Sequence, residues 1–350
     1  TNKELIRKGV ENVVAETCFP IKVSHGHVLN LLEKGVKRIF LPSIINLETS
    51  HPEIPNSAAC PYAQSFPYAV PSSIDFKKND VKMLQPILHF GLGKENLEKE
   101  LVKFGKSLHR GSRQVKKALE KAEKFQALFY QSMLNRGREV LNQVGPNDKV
   151  MVIVGRPYNS CDSGVNLEIP KKLRDLGVLP IPMDFLPLES VAPTEEIQEM
   201  YWRYGQRILA AGKIIRENPR LYAVYITNFG CGPDSFISHF FRNLSKGKPY
   251  LQLEIDEHSA DAGAITRCEA FLDSLKNVGE KKIPSSKKEK AKTDRTKKIY
   301  IPYMCDHSFA VAAAFRACGV DADVFPESDE ETLYWGRKLT SGKECYPCIL

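Results

Sequence analysis

Short continuous apolar runs recur in the middle of the chain, and each is followed by a stretch whose apolar positions have helical spacing. Such runs are typical of strands that are buried on both faces, and their alternation with helices predicts a parallel sheet. We predict strands at 150–154, 178–182, 223–227 and 250–255, and helices at about 164–176, 195–216, 235–245 and 261–275. Together these elements predict a doubly wound α/β domain over residues 146–278.

The N-terminal part shows the same alternation less regularly. Val13-Val14-Ala15 predicts a short buried strand, residues 28–34 a helix and residues 38–42 a second strand. Residues 49–75 are rich in Pro, Ser and Asn, which predicts a loop. We therefore predict a first α/β domain over residues 1–90 that is incomplete at its N-terminus.

Between these two domains, over residues 91–145, the spacing of apolar residues becomes helical. Gly111 predicts a break between two helices, and Gly145-Pro146 predicts the end of the second one. We expect the apolar stripes of both helices to face the core. The positions that define the stripes are Leu97, Leu101, Phe104, Leu108, Ala118, Ala122, Phe125, Phe129 and Met133.

A basic stretch over residues 279–297 follows the second domain. Nine basic residues and two acids lie between Lys281 and Lys298, so this stretch supplies nearly all of the formal charge of +8. A solvated linker explains it better than a nucleic-acid-binding face, and we expect no nucleic-acid partner. Beyond it, strands at 298–302 and 322–325 and helices at 307–318 and 330–338 predict the start of a third α/β unit over residues 298–350.

The predicted fold class is therefore α/β, with two or more Rossmann-like parallel-sheet domains joined by a long helical segment. No apolar run approaches the ~20 residues that a membrane-spanning helix needs, and no signal peptide is visible, so we expect a cytoplasmic protein without a membrane partner. Because the chain begins at Thr1 and ends at Leu350 inside a motif-like stretch, we expect a fragment of a longer protein.

The chain has nine cysteines scattered along its length, which argues against a disulfide framework and suggests core cysteines, metal ligands or both. Four of them, Cys18, Cys60, Cys231 and Cys345, have a proline within the next two residues. Proline stops a helix and fixes a loop, and Cys-Pro recurs in the loops of ferredoxin-type clusters. Cys18 and Cys231 also follow predicted strands, where open α/β sheets bind ligands. We predict these four as metal or cluster ligands.

Two other features bear on the cysteines. A single C-x-x-C pair, Cys345 to Cys348, leaves zinc as a rival metal, because soft thiolates bind either zinc or iron–sulfur clusters. The stretch around Cys345 echoes the one around Cys18, which suggests that the third unit repeats the first. Cys161 and Cys318 are expected to be packed in the core, as is Cys268, although its charged neighbours leave that assignment open.

Three side chains are candidates for proton transfer or catalysis. His27 belongs to His25-Gly26-His27, for which a helix cap is an equal alternative. Glu257 and His258 follow a predicted strand, as an active-site loop would, and an acidic first helical turn is the alternative. The segment Gly155–Asn159 could hold an anion, but it is neither a P-loop nor a G-x-G-x-x-G motif, so we predict no nucleotide site.

At these residues the sequence resembles the 2-hydroxyacyl-CoA dehydratase superfamily. In particular it resembles the dehydratase-like region of large fused proteins called CoA-substrate-specific enzyme activases, which are relatives of double-cubane cluster proteins. The stretches that carry the resemblance are Glu16–His27, Gly155–Asn159, Asn228–Phe236, Leu253–Leu272, Met304–His307 and Gly342–Cys348.

The resemblance implies a [4Fe–4S] cluster held by three cysteines, or a double-cubane [8Fe–9S] cluster as in some relatives. Cys18, Cys60 and Cys231 match the ligand positions, and Cys345 matches through the echo. The resemblance also implies an ATP-hydrolysing activase domain of actin/Hsp70-like fold, fused or separate, that delivers low-potential electrons. An acyl-CoA or another small molecule would be the substrate, and a homodimer stays open.

Three functions follow from these features. The first is an iron–sulfur redox component of an ATP-driven, anaerobic system, either a reductase or a dehydratase-like lyase component. The second is an electron-transfer or cluster-scaffold protein without substrate chemistry of its own. The third is a structural zinc protein.

Overall fold

The computed structural model describes residues 1–276, 297–340 and 349. Two compact units make up the chain, Thr1–Ile283 and Pro284–Leu350. The division between them falls inside the stretch that the sequence predicts as a linker, while the finer division of the first unit stays a prediction.

Eleven helices are described in the first unit. They are α1 (Lys3–Asn12), α2 (Phe19–Glu33), α3 (Pro61–Ala69), α4 (Lys94–Ser107), α5 (Ser112–Asn142), α6 (Pro157–Cys161), α7 (Ile169–Asp175), α8 (Glu195–Glu199), α9 (Arg203–Glu217), α10 (Gly232–Leu244) and α11 (Asp261–Lys276). The described strands are β1 (Arg38–Phe40), β2 (Ser43–Asn46), β3 (Lys82–Leu84), β4 (Ile87–His89), β5 (Val150–Val154), β6 (Leu179–Pro182), β7 (Leu221–Asn228) and β8 (Leu251–Ile255).

A four-stranded parallel sheet with the order β6-β5-β7-β8 forms the larger core. Its central strands β5 and β7 are buried on both faces, because alternate side chains point to opposite sides and helices pack on each side. In β5, Val150, Val152 and Val154 pack into one hydrophobic core, and Met151 and Ile153 pack into the other. Helices α9 and α10 contribute to the first core, and α7 and α11 to the second. The predicted doubly wound α/β arrangement is confirmed.

The N-terminal part contains two short parallel strand pairs, β1 with β3 and β2 with β4. The strand predicted at Val13–Ala15 is wrong, because these residues connect α1 to α2 and the side chain of Val14 is 69% exposed. A run of three apolar residues is too short to distinguish a strand from a connection. Cys18 therefore does not follow a strand, and the prediction that it does is wrong.

Proline explains why two helices begin earlier than the sequence predicts. Helix α2 begins at Phe19 and not at Val28, and α3 begins at Pro61 within the predicted loop. Proline in the first helical turn loses no intrahelical hydrogen bond, because the amides of that turn have no partner in the helix. The prolines that predict loops from the sequence thus lie in the first turns of helices here.

Helices α1 and α2 cross with their backbones in contact. A Cβ atom built on Gly9 would lie 2.0 Å from the carbonyl oxygen of Lys22, and one built on Gly26 would lie 2.1 Å from that of Leu5. Such distances exclude any larger side chain unless the helices separate. Gly26 is therefore a packing residue in the middle of α2.

The two predicted helices between the sheets are confirmed as α4 and α5, with the break at Gly111. Leu97 of α4 and Leu119 of α5 pack with Leu88 of β4. The expected core-facing stripe is wrong for the middle of α5, where Phe125 is 72% exposed and Phe129 56% exposed. Periodicity identified the helix, but it could not show how far the core extends along a helix of 31 residues.

The second unit contains β9 (Ile299–Ile301), α12 (His307–Ala317), β10 (Ala322–Val324) and α13 (Glu330–Leu339). Strands β9 and β10 pair in parallel, as a β-α-β unit requires. The four predicted elements are confirmed. Across the part of the chain that the structure describes, no helix is both long enough and apolar enough to span a bilayer.

Candidate functional site

Three of the four predicted ligand cysteines immediately precede helices. Cys18 is the N-cap of α2, Cys60 of α3 and Cys231 of α10, and each of these helices has a proline in its first two positions. The N-terminal turn of a helix presents unpaired N–H groups and a partial positive charge, which favours a thiolate or another anion there. The recurring Cys-Pro pattern thus marks a cysteine at a helix N-terminus.

The fold brings Cys18 near both of the other two cysteines, although all three are distant in sequence. The thiol of Cys18 interacts with those of Cys60 and Cys231. The loop before Cys231 also lies against Cys18, since a Cβ atom on Gly230 would be 3.6 Å from the Cα of Cys18. Gly230 has a φ of +74°, a left-handed conformation that glycine adopts without strain. Cys345 lies outside the described residues.

Burial favours the protonated thiol at Cys18 and Cys231. It raises the pKa of Cys18 to about 11, although the nearby backbone amide of Ile21 acts in the opposite direction. Burial also raises the pKa of Cys231, to which the charge of Asp234 adds and from which the charge of Arg156 subtracts. Because metals bind the thiolate, metal binding here would release protons.

A buried ion pair lies directly beside Cys231. Nη1 of Arg156 is 2.6 Å from Oδ1 of Asp234 and donates a hydrogen bond to Sγ of Cys231 at 3.5 Å. The hydroxyl of Tyr225 donates to the same Oδ1 at 3.3 Å. Oδ2 of Asp234 has no hydrogen-bond partner among the described residues. The site thus combines thiols with a guanidinium and a carboxylate, of which Cys18, Arg156 and Asp234 are buried.

The segment before Cys60 is held against the second sheet domain by its backbone. The amide of Ala58 donates to the carbonyl of Tyr201 at 3.1 Å, and the amide of Arg203 donates to the carbonyl of Ala58 at 3.0 Å. The Arg203 side chain also donates to the carbonyl of Glu48 at 2.9 Å. These contacts join Cys60 to the domain that carries Cys231.

The donor set suits a cluster of soft metal ions, because thiolates are the ligands of iron–sulfur centres and of zinc. As the side chains stand, however, no group of three or more His, Cys, Asp or Glu within residues 1–276, 297–340 and 349 is close enough to hold a single metal ion. The cysteines lie near one another without being in coordination geometry. Whether they bind a metal is therefore a matter for proposal.

Residues 1–186 match the family model described as the CoA enzyme activase uncharacterised domain. The match spans more than half of the chain. The chain belongs to this CoA enzyme activase family. No curated protein and no solved structure matches it. The matched part of the activase chain contains Cys18, Cys60 and Arg156, whereas Cys231 and Asp234 lie beyond it.

The three predicted catalytic side chains of this activase-family chain are placed differently from one another. Glu257 pairs with the buried Lys22 of α2 at 2.5 Å, and Lys22 also pairs with Glu16 at 2.8 Å. His258 is 83% exposed at its side chain and lies 3.7 Å from Asp256. Glu257 is thus tied to the helix that begins after Cys18, whereas His258 faces solvent.

His27 lies within α2 and not at its start, so the alternative reading of this segment as a helix cap is wrong. Its ring nitrogen Nε2 is 3.1 Å from the hydroxyl of Thr1. Burial lowers the pKa of His27. The catalytic roles of His27, Glu257 and His258 stay predictions.

Of the cysteines expected in the core, Cys268 is fully buried, which confirms the expectation, but Cys161 and Cys318 are exposed. Cys161 ends the short helix α6, and Cys318 follows α12, so both lie at helix ends where one side is open to solvent.

Sequence reasoning missed Arg156 and Asp234 as partners of the cysteine site. The available signal was positional: Arg156 follows the buried strand β5 by two residues, and Asp234 lies in the first turn of the helix after Cys231. Since β5 and β7 are adjacent parallel strands, their carboxyl ends meet at one edge of the sheet.

Proposed function

We propose that this member of the CoA enzyme activase family is an iron–sulfur redox component in which Cys18, Cys60 and Cys231 hold the cluster. It would pass low-potential electrons toward a CoA-dependent enzyme or an acyl-CoA substrate. One observation carries the proposal: three cysteines at three helix N-termini are distant in sequence, yet Cys18 lies within electrostatic range of both Cys60 and Cys231.

The surroundings of the cysteines support an anionic occupant. Thiolates and sulfides give a cluster negative charge, which helix N-termini and the guanidinium of Arg156 would offset. When bound, the cluster would supply one-electron transfer at low potential. The chain itself would bind the cluster through three thiolates, compensate its charge and shield it from water through the burial of Cys18.

The electron source in this proposal is an ATP-hydrolysing domain of actin/Hsp70-like fold, fused or separate. Support comes from the membership of the chain in an activase family. The finer assignment to the dehydratase-like region of fused activases belongs to this proposal as well.

Anaerobic purification with iron, sulfide and zinc analysis, followed by electron paramagnetic resonance after dithionite reduction, tests the proposal. We expect iron and sulfide in the wild-type protein and a reduced-cluster signal. Stoichiometric zinc without iron would contradict the proposal and favour a structural zinc protein.

Single substitutions test the ligand assignment. We expect Cys18→Ala, Cys60→Ala and Cys231→Ala each to lose most of the iron, because each removes a thiolate ligand. Cys161→Ala and Cys318→Ala are matched controls at exposed cysteines and should retain it. Unchanged iron in a folded Cys231→Ala protein would show that this cysteine is not a ligand.

A further inference from the structure

We propose that Arg156 and Asp234 are positioning residues that set the reduction potential of the cluster in opposite directions. This inference rests on the proposed function, since it concerns the environment of the cluster. It is carried by the buried contact of Arg156 with Sγ of Cys231 and with Oδ1 of Asp234.

The backbone fixes the place of Arg156. It follows Gly155, which has a φ of +153° and whose Cβ, if present, would lie 2.8 Å from the carbonyl oxygen of Ile226. Pro157 then begins α6. The chain therefore turns tightly at the end of β5, against the neighbouring strand β7, and carries the Arg156 side chain toward the start of α10.

Burial fixes the guanidinium. The side chains of Arg156 and Asp234 are 6% and 5% exposed, so neither charge is screened by bulk water. Arg156 has a planar fork of donors, which lets it bind Asp234 and still donate to Cys231. Asp234 is in turn held by the hydroxyl of Tyr225. A cation is therefore fixed against a ligand sulfur, with an anion behind it.

The sign of each effect follows from the charge that reduction adds. A reduced cluster carries one more negative charge than the oxidised one, and hydrogen bonds and positive charge near the sulfurs stabilise it. Arg156 should therefore raise the potential, and the carboxylate of Asp234 should lower it.

A purely structural role predicts something different. If the pair only joins α6 to α10, replacing either residue should lower the melting temperature and the iron content. The potential of the cluster that remains should not move, or should move in one direction for both replacements. Opposite shifts of potential are specific to the electrostatic role.

The experiment is a redox titration of the full chain, purified anaerobically or reconstituted with ferrous iron and sulfide and followed by electron paramagnetic resonance. We expect Arg156→Gln to disfavour reduction about tenfold, a shift of about −59 mV for one electron. Arg156→Lys, which keeps the charge, should shift the potential less. Asp234→Asn should shift it in the positive direction.

Arg220→Gln is the matched control. Arg220 precedes β7 at the opposite end of the strand from Cys231 and donates to the carbonyl of Val144. Its loss removes the same charge from the same sheet, and the potential should stay at the wild-type value. Potentials that match this control in both Arg156→Gln and Asp234→Asn, or shifts of one sign, overturn the inference.

If Arg156→Gln fails to fold, Asp234→Asn decides alone: a positive shift supports the inference, and an unchanged or negative shift overturns it.

Two outcomes separate this inference from the proposed function. If the wild-type chain binds no iron, both ideas fall. If it binds a cluster whose potential ignores both residues, only the inference falls.

Discussion

Five of the described cysteines fall into two chemical classes, buried and exposed. Cys18 is 6% exposed and Cys268 is fully buried, and burial raises the pKa of both thiols to about 11. Cys161, Cys305 and Cys318 are exposed. Because the thiolate is the nucleophile in alkylation, both ionisation and access disfavour reaction at the buried pair.

This division predicts the pattern of alkylation in the metal-free protein. At neutral pH, iodoacetamide should modify Cys161, Cys305 and Cys318 within minutes, and Cys18 and Cys268 only after denaturation. Peptide mass spectrometry of native and urea-treated samples measures this. Equal rates at Cys18 and Cys161 in the folded protein would contradict the burial of Cys18.

Glu189 provides a residue-scale test with a defined pH dependence. Its carboxylate contacts Arg203, and Oε1 is 2.5 Å from Nη1 of Arg207. Burial raises its pKa, but Arg203 and Arg207, together with a hydrogen bond from Ser50, outweigh burial, so the pKa lies below the ordinary value of 4.5. A carboxylate with a lowered pKa stabilises the fold above that value and loses this contribution as the pH falls through its folded pKa.

We therefore expect Glu189→Gln to lower the free energy of unfolding by about 1 kcal/mol near pH 7, a modest figure because the side chain is partly exposed. The difference from wild type should shrink below pH 4.5. Urea unfolding near neutral pH and at about pH 3 measures it. The exposed Glu199→Gln is the control. An effect of equal size at both pH values would show that the ion pairs are not its source.

At the scale of elements, the crossing of α1 and α2 is the most tightly specified contact in the N-terminal part. Gly26→Ala should push α2 away from Leu5 and lower the melting temperature, at a cost of about 1–3 kcal/mol for overpacking. Gly263→Ala in α11 is the control, because no atom lies within 4 Å of the position of its Cβ. There alanine should be neutral or stabilising. Similar melting temperatures for the two variants would contradict the close crossing.

Hydrophobic pattern determined which elements could be predicted from sequence. Strand β5 and most of β7 are continuous apolar runs, whereas β8 alternates apolar with polar residues. The positions of all three strands are confirmed within a few residues. Helix α2 was predicted to begin too late and α3 was not predicted, because proline was taken as a terminator, whereas here it lies in the first turn. Proline breaks a helix in its interior but is tolerated in its first turn. The local sequence alone does not show which of these two cases applies.

At the scale of the whole first unit, the cysteine site depends on contacts that no local pattern encodes. Ala58, two residues before Cys60, pairs with Asn46 on one side and with Trp202 on the other. This bridge brings the N-terminal strands to the four-stranded sheet. The cysteines could be chosen from sequence by their neighbours, but their approach to Cys231, and to the Arg156–Asp234 pair, follows from tertiary packing.

Because the proposed ligands come from distant segments of the first unit, a bound cluster should stabilise the unit as a whole. Ligands that bind only the folded state raise its stability by mass action, and metal ligation across distant segments couples directly to folding. We expect the melting temperature of the iron-loaded chain to fall by several degrees, about 4 °C or more, when a chelator removes the metal anaerobically. Cys231→Ala should already melt at the lower temperature and should not respond to the chelator, whereas Cys318→Ala should behave as wild type. If loaded and stripped wild-type protein melt together, the three cysteines do not share one metal centre that joins the two parts of the unit.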